Sequence, residues 1–219
     1  MTRSRQGVFD LPIETRFGRA DFLVSDSNRA AFELIERWPD WPTRALVLYG
    51  PPGSGKSHLA HLWCERSGGT LIAGDAAALG EPAALPLAVA VDDAKRAVER
   101  GLLHLYNLCL ERSGHLLLIL PASPAALPIG LADLASRLRS LPVVGIAPPD
   151  DALLTAVLLK QFGDRGIGIP PQVVAYLVAR MERSFAVAAT LAARLDRLSL
   201  ESGRPITVKM AREMLAEAG

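Results

Sequence analysis

The sequence predicts an α/β fold, a doubly wound parallel sheet of five strands followed by a small all-helical unit. Three observations carry that expectation. Short, wholly apolar runs such as Ala45 to Tyr49 and Leu116 to Leu120 alternate with stretches of helical character, as strands and crossover helices do. The first of these runs stops at a glycine-rich octapeptide, Gly50 to Ser57, that opens a helix. Beyond Pro148-Pro149 no strand pattern returns, and apolar residues recur at helical spacing.

Residues 1–20 read as an irregular, flexible segment with scattered charges. A first helix is expected after the capping pair Ser27-Asn28, running toward Trp38 and stopped by Pro39, which has no amide to donate. The apolar runs 45–49, 70–73, 87–91, 116–120 and 142–146 are the five strands. Wholly apolar strands imply a sheet covered on both faces. Between them, a helix is expected from about Gly55 to Arg66 and a long one from Ala94 to Arg112, with Leu102, Leu105, Leu108 and Leu110 on its apolar side. After the double proline, Pro170-Pro171 starts a helix through Val174 and Leu177. Val187, Leu191, Leu195 and Leu198 mark one face of the next, which Gly203 ends, and Thr207 caps a last one through Met214. The organisation expected is a terminal segment (1–20), an α/β domain (21–149) and a helical domain (150–219).

Half of the 219 residues are hydrophobic, which provides for a sizeable core, while 24 basic and 23 acidic residues leave a formal charge of only +1. A protein that wraps nucleic acid needs a basic excess, because phosphate contacts dominate that affinity. DNA is therefore expected to be met only indirectly. The two cysteines, Cys64 and Cys109, have no metal-ligand spacing and read as reduced core thiols. The polar N-terminus carries no secretory signal, and no apolar run approaches the roughly 20 residues of a membrane span. A cytoplasmic protein with no membrane partner is expected. His58, His61, His104 and His115 lack any catalytic or metal spacing, and Trp38, Trp41 and Trp63 read as core or interdomain contacts.

Gly50-Pro51-Pro52-Gly53-Ser54-Gly55-Lys56-Ser57 fits the phosphate-loop pattern at every defined position. Glycines let the backbone curl so that its amides face an anion, and the helix that follows turns its positive end toward the same point. Lys56 brings a charge to the β and γ phosphates, and Ser57 a hydroxyl to Mg²⁺. ADP or ATP with Mg²⁺ is the expected ligand. The strand at 87–91 runs into Asp92-Asp93, taken to lie beside the loop strand. Asp92 is the candidate for the Mg²⁺ shell and Asp93 for orienting the attacking water. The same pair can alternatively be read as the cap of a helix starting at Ala94.

The ordered set of motifs resembles the AAA+ ATPases of the DnaA/Hda family, over roughly residues 20–218. The stretches that carry the resemblance are Phe22 to Ser25 with Ser27-Asn28, Gly55-Lys56-Ser57-His58-Leu59, Asp92-Asp93, His104-Leu105-Tyr106-Asn107, Asp133-Leu134-Ala135-Ser136-Arg137-Leu138, and Gly203 to Thr207. His58, in the position where the family often has histidine, is counted with the nucleotide-binding residues. The chain ends soon after the helical unit, where DnaA continues into a DNA-binding domain, so the resemblance is to the Hda-like members. It implies a regulator that promotes ATP hydrolysis by a DnaA-type initiator while tethered to the DNA polymerase sliding clamp, and it leaves self-association open. Arg137 would be the arginine finger, with Arg139 as the second choice. Gln6-Gly7-Val8-Phe9-Asp10-Leu11 resembles a clamp-binding peptide, with Gln6, Phe9 and Leu11 as the contacting residues.

Two positions depart from the family pattern. The lid arginine that usually meets bound phosphate falls on Ala186, and the polar sensor region before Pro124 holds Ala122 and Ser123. Slow intrinsic hydrolysis follows, with Arg180 or Arg183 the nearest lid cations to stand in. An AAA+ helicase loader and a P-loop small-molecule kinase are the competing functions.

Overall fold

A computed structural model describes residues 18–76 and 84–217. It contains the five parallel strands β1 (Ala45–Tyr49), β2 (Thr70–Ala73), β3 (Ala88–Asp92), β4 (His115–Leu120) and β5 (Val143–Gly145), in the sheet order β2-β3-β4-β1-β5. Helices α1 (Arg29–Glu36), α2 (Lys56–Ser67), α3 (Glu99–Glu111) and α4 (Ala132–Ser140) accompany the sheet. Helices α5 (Asp151–Gly163), α6 (Pro171–Val178), α7 (Phe185–Ser202) and α8 (Val208–Ala216) follow it.

Burial on both faces explains the unbroken apolar runs. Leu46 and Leu48 of β1, with Leu117 and Ile119 of β4, point to one side and pack with Leu59 and Trp63 of α2 and Ile35 of α1. Ala45 and Val47, with Leu116 and Leu118, point to the other side against Leu102, Leu105 and Tyr106 of α3 and Leu134 and Leu138 of α4. The helices after β5 enclose a third core around Leu154, Phe162, Leu177, Leu191, Leu195 and Met214. Trp41 and Trp63 stack in the first core at 5.3 Å between centroids, as the sequence predicts. Burial pushes the Cys64 and Cys109 thiols up to about 11, so both are inert at neutral pH. Among the described residues no helix is long and apolar enough to cross a membrane.

Three local expectations are corrected. The helix expected over Ala94 to Arg112 is broken: a 3-10 turn covers Ala94–Arg96, Ala97 and Val98 are extended, and α3 starts afresh at Glu99. Leu110 is consequently exposed, and Tyr106 and Cys109 join Leu102 and Leu105 as the buried side. Asn28 does not cap α1. Its carboxamide turns back, donating to the Leu23 carbonyl and accepting from the Ser25 amide, both at 2.9 Å. Finally, the strand that ends in Asp92 is not beside the loop strand, because β4 lies between β3 and β1.

Candidate functional site

The glycine-rich loop leaves β1 at the carboxyl end of the sheet, where ligands of open α/β sheets bind. Gly53 and Gly55 have φ of +67° and +96°, a backbone that side chains rarely adopt, and Gly55 hands the chain directly to α2. The first amides of a helix have no intrahelical partner, so the turn at Lys56 and Ser57 offers donors toward the loop. The Lys56 ammonium lies across the loop, donating to the Pro51 carbonyl at 2.6 Å. Burial lowers its pKa, and the nearby Asp92 and Asp93 carboxylates partly oppose the shift. Pro51 and Pro52 lead into the turn, and Ser54 lies beneath it with a buried hydroxyl that has no partner among the described residues.

At the tip of β3, Asp92 accepts a hydrogen bond from the Ser57 hydroxyl through Oδ2 at 2.7 Å and from the Asp93 amide through Oδ1 at 2.9 Å. The hydroxyl and carboxylate are thus brought together although their strands are not neighbours. The capping alternative fails, since neither carboxylate caps the turn at Ala94. Asp93 instead takes a left-handed conformation, φ 47° and ψ 49°, which turns the chain off the sheet. Among the described residues no three His, Cys, Asp or Glu side chains are grouped to hold a metal. The Ser57 and Asp92 oxygens nevertheless fit Mg²⁺, which binds one or two protein oxygens when phosphate and water complete its shell.

His58, in the first turn of α2, engages the Gly18 carbonyl at 3.2 Å and stands edge-on to Phe22 at 5.2 Å. It supports the segment that crosses the helix. From the opposite side the start of α7 reaches the loop: the Phe185 amide donates to the Gly53 carbonyl at 2.9 Å, and a side chain on Gly53 would collide with Ser184. Ala186, next in line, is exposed. The lid cations are occupied elsewhere. Arg183 bonds the Pro149 carbonyl at 3.2 Å and pairs with Asp151 at 2.8 Å, while Arg180 lies over the Tyr176 ring at 4.0 Å.

Arg137 sits in the last turn of α4. Its Nε donates to Asp133 Oδ1 at 2.9 Å, and its guanidinium lies 5.5 Å from the centroid of the Tyr106 ring. Neither Asp133 nor Tyr106 was singled out by the sequence for this contact. The i,i+4 spacing makes Asp133 visible in retrospect. Arg139 is exposed, and Gln6, Phe9 and Leu11 lie outside the described residues.

Residues 151–215 match the family model described as the Hda lid domain. The whole arrangement is similar to domain III of the replication initiation protein DnaA from Thermotoga maritima, at a TM-score of 0.76 and 16% identity, covering 92% of this chain and 96% of that one. Residues 151–215 are thus of the Hda lid type, on a chain with the fold of DnaA domain III. AMPPCP-bound DnaA from Aquifex aeolicus is also similar, with a TM-score of 0.69 and 15% identity over 90% of this chain and 68% of that one. The Holliday junction branch migration motor RuvB of Thermotoga maritima gives 0.69 and 16% over 87% and 67%. At such identities the structural likeness carries the fold alone, and the likeness to Hda rests on the helical lid, residues 151–215.

Proposed function

We propose that this AAA+ protein is an Hda-like regulator of chromosomal replication initiation, acting negatively by promoting ATP hydrolysis on a DnaA-type initiator. The observation that carries the reading is an Hda-type lid, residues 151–215, on a core whose loop at Gly50 to Ser57 has the residues to grip polyphosphate. ADP or ATP binds this loop, the backbone amides and Lys56 meeting the phosphates. Ser57 and Asp92 hold Mg²⁺, which neutralises phosphate charge when bound. Asp93 orients the attacking water. The chain's own hydrolysis is weak, and its nucleotide is largely a structural ligand.

Arg137 acts in trans. A guanidinium inserted beside a phosphoryl group in transfer stabilises the developing charge, an effect worth roughly 10³ to 10⁵ in rate for GTPases. Gln6, Phe9 and Leu11 attach the protein to the DNA polymerase sliding clamp, so that DNA is reached only through the clamp and the initiator. The protein works in the cytoplasm. The AAA+ fold gives no support to the small-molecule kinase alternative.

The test follows ADP formation by an ATP-bound DnaA-type initiator on adding this protein and DNA-loaded clamp. Wild type accelerates hydrolysis, Arg137→Ala abolishes the acceleration, and deletion of residues 1–12 removes its dependence on the clamp. An unchanged rate with wild type would overturn the regulatory reading. A deletion without effect would overturn the tether alone.

A further inference from the structure

Helix α3 carries two side chains seven residues apart, Glu99 and Tyr106, which two helical turns place on one face. Both address α4. The Glu99 carboxylate accepts the Gly130 and Leu131 amides at 2.9 and 2.6 Å, and Leu131 is the residue from which α4 departs. These amides lie ahead of the first turn of α4, so a carboxylate there also favours the positive end of the helix. Tyr106, almost wholly buried, places its ring against the Arg137 guanidinium, 5.5 Å from the ring centroid. From α4 itself Asp133 takes the Nε proton.

The geometry points to Glu99, Tyr106 and Asp133 as positioning residues that preset Arg137 for a phosphoryl group on another molecule. This rests on the reading of Arg137 under Proposed function. Arginine is a long side chain with many rotamers, and an exposed one loses that freedom each time it meets an anion. Here Asp133 engages the Nε edge and Tyr106 a face, while the side chain remains 37% exposed. A guanidinium has five N–H donors, so donors remain for an external acceptor after both contacts are made. The Asp133 hydrogen bond raises its pKa further, keeping it a cation at any working pH. Glu99 fixes where α4 begins, and with it the distance from Tyr106 to the arginine. Because α3 follows the Asp92-Asp93 tip through one short turn, the element that sets Arg137 is rooted beside the chain's own nucleotide loop.

The experiment measures initiator ATP hydrolysis against concentration of this protein for Asp133→Asn, Tyr106→Leu and Glu99→Gln, singly and combined with Arg137→Ala. Each single change is expected to lower the maximal stimulated rate, by about tenfold or more for Asp133→Asn, as loss of orientation does. The concentration giving half the effect should stay the same. In the Arg137→Ala background none should lower the rate further, since residues acting only through the arginine are non-additive with its loss. Circular dichroism and the thermal midpoint confirm that each variant is folded, leucine at 106 keeping the buried position apolar while removing the ring. Stimulation at the wild-type level in all three, or effects that add fully to Arg137→Ala, overturns the inference. An Arg137→Ala protein as active as wild type overturns the parent reading as well.

Discussion

Lys56 is subject to two opposing effects at the scale of one residue. Burial in the loop disfavours its charge and lowers its pKa below 10.5, while Asp92 and Asp93 act the other way and lose to burial. The unfolded chain therefore holds this proton more tightly than the folded one. Between the lowered value and about 10.4 the unfolded state binds more protons, so stability from this group rises with pH in that window. Lys56→Met should remove this upward slope and leave the nucleotide-free protein no less stable at neutral pH. The same change should weaken ADP and ATP binding by about tenfold or more, the worth of a charge-assisted hydrogen bond. Denaturant unfolding across the alkaline range and calorimetric titration with ADP read the two effects separately. A stability loss at neutral pH would show that the Pro51 carbonyl contact outweighs the cost of burying the charge.

Elements differ in how plainly the sequence announces them. The strands are legible because both faces of β1, β3 and β4 are buried, so that nearly every residue has to be apolar. The lid helices are legible from their ends: Pro171 opens α6, Gly203 at φ 62° closes α7, and the Thr207 side chain caps α8. The break before α3 is not, because Ala97 and Val98 turn extended with no glycine or proline to announce it, and the Glu99 carboxylate that opens α3 is committed to amides more than thirty residues later. Strand order is hidden for a related reason, since crossovers and not composition place β4 between β3 and β1. In the site, the loop and the Asp92 tip are local patterns and can be read. The support of Arg137 by Tyr106 crosses between helices and cannot. A cap that the sequence reading passed over lies at the start of α5, where the Asp150 carboxylate accepts the Leu153 amide at 2.7 Å. Asp150→Ala should cost about 1 kcal/mol, as lost N-caps do, seen as a lower urea midpoint with an unchanged slope. A wild-type midpoint would mean that water replaces the carboxylate without loss.

For the whole molecule, the decisive matter is how the lid is tied to the sheet. The Phe185 amide reaches the Gly53 carbonyl, Lys160 of α5 pairs with Asp21 at 2.7 Å, and Arg183 bonds the Pro149 carbonyl between β5 and α5. Hydrogen bonds that Lys160 donates to Asp164 and then to Asp21 raise its pKa, so its contribution is complete below about 10.4 and is lost only as pH climbs through the raised value. These ties are insensitive to pH in the neutral range. The lid arginine that the resemblance implies falls on Ala186, one residue past the amide that touches Gly53, while Arg183 is engaged by Asp151 and the Pro149 carbonyl and Arg180 by the Tyr176 ring. With alanine at 186, this position of the lid offers no guanidinium to tell ATP from ADP by charge. Intrinsic turnover should accordingly stay below the roughly 1 s⁻¹ of ordinary enzymes, with ATP and ADP bound about equally well. Ala186→Arg restores a guanidinium to the exposed first turn of α7, where it should tighten ATP over ADP by about tenfold, the worth of one charge-assisted bond. Paired titrations with ADP and a non-hydrolysable ATP analogue decide the matter. Strong ATP preference in the wild type, or none in the variant, would show that lid charge is not what sets the coupling.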